Sequence, residues 1–310
     1  MRPTPIPFLP ALLAFGLLCS TACAAVTFRV ATYNLENYLD QPTETRPHVK
    51  DDAAKAKIRD SLRALKPDVI ALEEMGGTNA LLELRAALKT RRLNYPYWEY
   101  VTGADTNIHV AVLSRFPIVA RHPHTNENFL LDGKRFRVSR GFAEVEIQAA
   151  PKFTFTLIVA HLKSRRPVPE AAEAELRLQE AKVLRGLIDA HLATDPNARL
   201  IVLGDLNDVK NSDSTKAIIG RGKFKLTDTR PAERNGDAAI SPLPHRDPPN
   251  VTWTYFYGLT DEYSRIDYIL LSPAMKRHWL TDETFIPKIP NWGLGSDHRP
   301  IVAGFTTDEK

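Results

Sequence analysis

The chain has 310 residues, 43% hydrophobic and 25% charged, with 41 Lys and Arg against 37 Asp and Glu. That is ordinary globular composition, which excludes a disordered or collagen-like chain; a net charge of +4 and a pI near 9.0 suit an anionic partner without requiring one. Cysteine appears only at Cys19 and Cys23.

Residues 1–24 read as a secretory signal peptide. Arg2 supplies a positive start, residues 11–18 (ALLAFGLL) form an apolar run too short to span a bilayer, and Ala22-Cys23-Ala24 is a small-x-small cleavage signal. Both cysteines fall inside this leader, so the expected mature chain has no disulfide, thiol nucleophile or thiolate metal site. Its expected setting is periplasmic or secreted, and it is expected to be a single domain over residues 25–310, monomeric and without a stable protein partner.

Residues 27–33 (TFRVATY) alternate as a strand does. Residues 50–65 place Ala54, Ile58, Leu62 and Leu65 at helical spacing, and Pro67 stops the helix. Residues 68–72 (DVIAL) read as a buried strand and residues 79–88 as a second helix. Strands follow at 97–101, 110–113, 142–147 and, most strongly, 153–162 (FTFTLIVAHL). A long helix is predicted over residues 170–192, with Leu176, Val183, Leu184, Leu187 and Ile188 on one face. Residues 201–208 (IVLGDLND) give the next strand, and residues 231–250, rich in Pro, Asp and Asn, a surface loop. Late strands are predicted at 251–257, 266–271 and 301–305. No repeat and no linker divides the chain, and the alternation argues for sheets inside and helices outside.

Several of these runs end in polar residues. YNLEN supplies Asn34, DVIAL runs into Glu73-Glu74, and FTFTLIVA runs into His161 of HLKSRR. IVLG runs into Asp205-Leu206-Asn207, Asp267 sits inside RIDYIL, and Asp297-His298 precede the last strand. Singly, each has the reading of a turn cap or a solvated loop acid. Asp267 resists that reading, because an acid in an apolar strand needs a partner, and histidine is the natural one. A strand's period of two points Asp205 and Asn207 the same way and leaves Asp208 on the opposite phase as a cap. Together the set is what metal-assisted phosphoester hydrolysis requires. A hard divalent cation takes carboxylate and amide oxygens, and a histidine held by an acid can move a proton. P-loop glycines and an HExxH helix are absent from the sequence, and the oxygen-rich inventory argues against tetrahedral zinc.

In this order YNLEN, DVIALEE, HLKSRR, GDLND, RIDYIL and GSDHRP resemble the motifs of the endonuclease/exonuclease/phosphatase superfamily, from about Phe28 to Phe305. The resemblance implies a four-layer α/β sandwich, two mostly antiparallel sheets face to face with helices outside. It implies a metal site of Asn34, Glu74 and Asp297 for Mg²⁺, with Mn²⁺ or Ca²⁺ as alternatives. Glu73 stands where the family usually has glutamine, an extra acid beside the metal ligand. Catalytic roles fall to His161, Asp205, Asn207, Asp267 and His298. On that reading His298, oriented by Asp267, activates water, Asp205 and Asn207 position the nucleophile and phosphate, and His161 protonates the leaving oxygen. Lys163 and Arg140 are candidate phosphate contacts; Arg140 would replace a tyrosine or arginine of some relatives, where this chain has Asn107, Ile108 and His109.

Basic residues crowd these motifs: Lys163, Arg165 and Arg166 after His161, and Lys134, Arg135, Arg137 and Arg140 before it. They favour a nucleic-acid substrate, and so a secreted nuclease. The alternative is a phosphodiesterase or phosphatase for a small phosphoester or a lipid headgroup, as in a sphingomyelinase. Tyr255, Phe256, Tyr257 and Trp292 are then either membrane-facing aromatics or strand core. A non-catalytic binding protein on the same fold is the remaining class.

Overall fold

The computed structural model describes residues 25–233 and 251–309. The leader and most of the 231–250 loop lie outside the described residues.

Alternating apolar and β-branched residues build two six-stranded sheets. The first runs, edge to edge, through Trp279–Phe285, Ile301–Thr306, Thr27–Tyr38, Val69–Met75, His109–Ser114 and Tyr97–Val101. The second runs through Thr227–Asp228, Asp267–Leu271, Leu200–Asp205, Phe153–Ala160, Phe142–Ala150 and Ile118–His124. Each sheet has one parallel pair, Thr27–Tyr38 with Val69–Met75 and Phe153–Ala160 with Leu200–Asp205; the other neighbours are antiparallel. A parallel pair needs a long crossover, supplied by the helices Asp52–Leu65 and Glu173–Thr194.

The sandwich therefore repeats one plan, a parallel pair flanked by antiparallel strands. In such a plan the C-terminal ends of the paired strands and the N-terminal ends of their antiparallel neighbours lie at the same edge. Asn34 and Glu73 meet there in one sheet, and Asp205 and Asp267 face each other there in the other.

Apolar side chains fill three interfaces and make four layers. Phe28, Val112, Phe155, Leu203 and Phe305 lie between the sheets. Ile58, Leu62, Leu84 and Leu88 cover the first sheet, and Leu184, Ile188 and Leu192 cover the second. This is the sandwich that the motifs imply.

Some boundaries move for local reasons. The first helix begins at Asp52 because the Asp51 carboxylate accepts from the Ala54 amide (2.7 Å), a side-chain N-cap. The long helix begins at Glu173, after a short bridge between Val168 and Ala171. The predicted strand at 251–257 shrinks to Tyr255–Tyr257 and joins neither large sheet. It pairs with Glu262–Ser264, while the Thr254 hydroxyl caps the next strand by accepting from the Ile266 (3.1 Å) and Asp267 (3.2 Å) amides. A second small hairpin, Asn128–Leu131 with Lys134–Arg137, has no counterpart in the sequence reading. Its turn residues Asp132 and Gly133 have φ of 49° and 74°. An Asp-Gly pair meets that left-handed demand of a two-residue turn.

Candidate active site

The strand ends converge because the backbone bends sharply there. Glu36, Asn37, Glu74 and Asn207 have φ of 48°, 58°, 57° and 54°, left-handed conformations that cost roughly 1–3 kcal/mol each and gather where function over-determines them. Gly204 has φ of 128°, and a Cβ there would stand 2.0 Å from the Ala160 carbonyl oxygen. The glycine of GDLND thus lets the two parallel strands approach at the point where His161 and Asp205 leave them.

Asp205 is the hub. Its Oδ2 accepts from Asn34 Nδ2 (3.0 Å), and it lies 3.6 Å from His161 Nε2 and 3.7 Å from His298 Nε2. Its Oδ1 accepts from the Asn207 amide (2.8 Å). His298 Nδ1 meets Asp267 Oδ2 at 2.9 Å, the partnership expected for an acid within an apolar strand. Asn207 reaches Asp205 by a different route from the one the strand period suggests. The strand ends at Asp205, and a left-handed turn folds Asn207 back so that its Nδ2 donates to Leu162 O (3.0 Å) and Asp205 Oδ2 (3.3 Å). Asp208 does more than cap a turn. It accepts from the Arg177 guanidinium (3.0 Å) and the Ser214 hydroxyl (2.8 Å).

Charges in this buried cluster are set by burial and by each other. Burial, reinforced by Asp267, pushes Asp205 up to about 7 against the pull of His298. Burial would lower His298, but Asp267 and Asp205 outweigh it and hold the imidazole well above its ordinary value. Burial, with Arg140 and His298 adding, keeps His161 well below its ordinary value and so neutral. Glu73 is fully buried, with Oε1 accepting from the Thr32 hydroxyl (2.6 Å). Burial pushes its carboxyl far up, with Asp267 and Asp205 adding against that hydrogen bond. Burial thus favours the neutral carboxylic acid, which is close in shape to a glutamine.

Glu74, Asp297 and Asn34 sit on the other side of Asp205. Glu74 Oε2 accepts from the Asn37 amide (2.9 Å), and its Oε1 lies at a long 3.5 Å from Asn34 Nδ2. Asn34 Oδ1 accepts from the Glu36 amide (2.9 Å), and Ser296 Oγ donates to Asn34 O (2.8 Å). Placed in this way, Asn34 ties Glu74 to Asp205 through its donor end. Burial raises Asp297 to about 6 against the pull of His298, with the Glu36 and Glu74 charges adding. Carboxylate and amide oxygens of this kind are the donors that a hard divalent cation takes. Asp205, Asp267 and His298 also bring ligand atoms within 4.8 Å of one another. In that group the His298 imidazole is itself held between Asp267 and Asp205.

Of the two candidate phosphate contacts, Lys163 turns away. Its Nζ donates to Arg166 O (2.7 Å) and Ser164 O (3.1 Å). Arg140 is buried, donates to Leu162 O (3.2 Å) and stands 3.6 Å from Asp105. Helix Glu173–Thr194 contributes two residues that sequence reasoning missed. Glu180 accepts from Ser139 N (2.8 Å), Ser139 Oγ (2.6 Å) and Lys163 N (2.6 Å), while Arg177 donates to Lys163 O (3.1 Å). Together they fasten the loops that carry Arg140 and His161. The signal lay in the sequence: Glu180 stands between Leu176 and Leu184 on the buried stripe, as conspicuous an acid as Asp267.

A cleft of about 520 Å³ exposes His161, Asp205, Asn207, Asp297 and His298. Tyr255 leans on the His298 ring with centroids 4.8 Å apart. A second cleft of about 330 Å³, lined by Arg46, His48, Arg140 and Arg166, shares Glu74, Ser164 and Arg166 with the first.

Comparison with solved structures gives the same fold at low identity. Sphingomyelinase C from Streptomyces griseocarneus superposes with a TM-score of 0.60 at 20% identity, over 90% of this chain and 99% of that one. The human Nocturnin catalytic domain with a bound sulfate anion gives 0.61 at 15%, over 91% and 96%, and truncated Caenorhabditis elegans TDP2 gives 0.58 at 15%, over 90% and 97%. A search of curated proteins returned no significant match. A family model matches residues 31–298, from the first strand to the histidine of the Asp267 pair, and the chain belongs to the Endonuclease/Exonuclease/phosphatase family.

Proposed function

We propose that the protein is an exported, metal-dependent phosphoester hydrolase, and specifically a nuclease that cleaves phosphodiester bonds by in-line attack of water. The observation that carries the nuclease reading is the meeting of the two clefts at Glu74. The catalytic cleft continues past Ser164 and Arg166 into one lined by Arg46 and Arg140, two arginines that share the one Asp105 carboxylate, so positive charge is left there for further phosphates.

Glu74 and Asp297 would hold the cation, Mg²⁺ by the hardness of its donors, with Asn34 orienting Glu74. The chemistry supplied by an ion held there is polarisation of a phosphoryl oxygen and compensation of its growing charge. Asp205, poised near neutrality, accepts the proton of the attacking water, which Asn207 helps to aim. His298 keeps its imidazolium between Asp267 and Asp205, so the pair moves the proton as a unit. His161, held neutral, presents a hydrogen bond to the phosphate. On this reading the base is the Asp205–His298 pair rather than His298 alone, and the leaving oxygen takes its proton from solvent water, with His161 as the alternative donor.

One assay panel tests the reading. The protein with Mg²⁺ is offered duplex DNA, single strands, RNA, sphingomyelin vesicles and a small phosphodiester. Nucleic-acid cleavage that stops with EDTA supports a nuclease, and turnover of lipid alone overturns it. The lipid reading has one observation in its favour. Tyr257, Leu259, Tyr263 and Leu294 are 40%, 83%, 56% and 51% exposed on and beside the Tyr255–Ser264 hairpin, next to the cleft.

A further inference from the structure

The hairpin of Asn128–Leu131 and Lys134–Arg137 belongs to neither large sheet and has no part in the catalytic cluster. It leaves the second sheet at the active-site edge: His124, which ends its strand, pairs with Phe142, and Phe142 pairs with Ala160, the residue before His161. Its return strand runs through Val138 and Ser139 into Arg140 of the cationic cleft.

The two faces of the hairpin differ. Phe129 and Phe136 stack with centroids 5.8 Å apart, and Phe129 packs on the core beneath the Glu173–Thr194 helix. The opposite face pairs Asn128 with Arg137 and Leu130 with Arg135, and all four residues are exposed. Neutral groups hold both guanidinium groups. Arg137 donates to Thr125 O (3.1 Å) and Asn126 Oδ1 (2.9 Å), and Arg135 donates to Asn128 Oδ1. Among the described residues no carboxylate pairs with Lys134, Arg135, Arg137 or Arg166, whereas Arg46 and Arg165 both lie within ion-pair distance of an aspartate. The face is thus a preorganised cationic surface whose charge is not neutralised by the protein. Four residues per strand span about 14 Å, the axial rise of about four phosphates of one DNA strand.

We propose that this hairpin is an auxiliary contact for the phosphate backbone of a nucleic-acid strand that runs out of the catalytic cleft past Arg166 and Arg140. The assignment rests on the nuclease reading for its substrate, but its test reads binding and so stands apart from turnover. A fluorescent 30-base-pair DNA duplex is titrated with the full chain carrying His298→Ala, at several salt concentrations, with and without Arg135→Ala/Arg137→Ala. Expected is about ten-fold weaker binding at low salt, with the slope of log affinity on log salt shallower by about two. Lys152→Ala, in the turn at the opposite edge of the second sheet, should leave the slope unchanged, and matching thermal melts confirm that the variants are folded. Equal affinity and slope with and without the two arginines, no duplex binding at all, or a Lys152→Ala effect as large as theirs overturns the proposal. Binding with the expected slope change by a protein that cleaves no nucleic acid sinks the nuclease reading while supporting the contact.

Discussion

The two ends of the same strands are built to opposite purposes. At the far end Phe28 lies between Phe155 and Phe305, with centroids 5.4 and 5.5 Å away, and touches Phe116 and Phe153 at 5.8 and 5.9 Å. At the near end the same strands and their neighbours carry Asn34, His161, Asp205 and Asp267, and buried atoms there, among them Glu73 Oε2, His161 Nδ1 and Asp267 Oδ1, have no hydrogen-bond partner among the described residues. An aromatic cluster stabilises by burial, whereas buried acids cost solvation that one histidine only partly offsets. The sandwich therefore holds its active site against a gradient of stability, and substitutions at the two ends should separate rate from stability.

The largest effect is expected for His298→Ala. It removes the proton partner of Asp205, so kcat should fall about 10²–10⁴-fold. The substitution leaves the apolar cores untouched, so far-UV circular dichroism should remain native-like. Turnover close to wild type would break the comparison at its functional end.

Phe28→Ala is the reverse case. Loss of a buried phenyl ring should cost about 3–5 kcal/mol in denaturant unfolding, while kcat/KM of the surviving folded protein stays within about two-fold of wild type. A rate loss matching that of His298→Ala would mean that the two ends are not independent.

Glu74→Gln should act on cation affinity. The amide keeps the shape and removes the charge, so the Mg²⁺ concentration for half-maximal rate should rise about 10–100-fold, with much of kcat recovered at saturation. An unchanged metal titration would assign the cation to another set of donors.

Periodicity made the cores legible: Ala54, Ile58, Leu62 and Leu65 mark one buried face, and FTFTLIVA one central strand. The sandwich was legible through GDLND and GSDHRP together, because Gly204 and the residues around it answer to chemistry rather than to packing alone. What stayed hidden is what local pattern does not encode. Residues 251–257 carry strand-forming aromatics, yet their pairing depends on Glu262–Ser264 and on Thr254 capping a different strand. The Asp132-Gly133 turn was written in the sequence, but its flanks, Asn128–Leu131 and Lys134–Arg137, alternate too briefly to stand out. The direction of Lys163 depends on carbonyl groups of its own loop, which no spacing rule reaches.

A last test asks whether charge alone marks the functional end. Glu144, on the Phe142–Ala150 strand, lies 2.9 Å from His124 Nε2 and 3.0 Å from His191 Nε2, outside both clefts. Burial would raise Glu144, but the two imidazoles outweigh it and hold the carboxyl at about 2, and hydrogen bonds to Glu144 raise both histidines. His124 also contacts Glu127 (3.1 Å), and the Glu146 charge acts on His191 in the same direction. The raised histidines contribute stability that is fully present below their ordinary value of about 6.5 and is lost as pH rises through their folded values. The lowered glutamate contributes above its ordinary value of about 4.5 and loses that share as pH falls towards 2. The cluster therefore stabilises most between about pH 4.5 and the raised histidine values. Glu144 is buried but both imidazoles reach solvent, which screens the pairs, and the cluster should contribute about 1 kcal/mol. Denaturation of wild type and Glu144→Gln across pH 4–9 should show their largest difference near pH 5–6 and convergence towards pH 9. A difference that is flat with pH would show that Glu144 acts through packing, and the contrast between acids that stabilise and acids that catalyse would lose its clearest stabilising member.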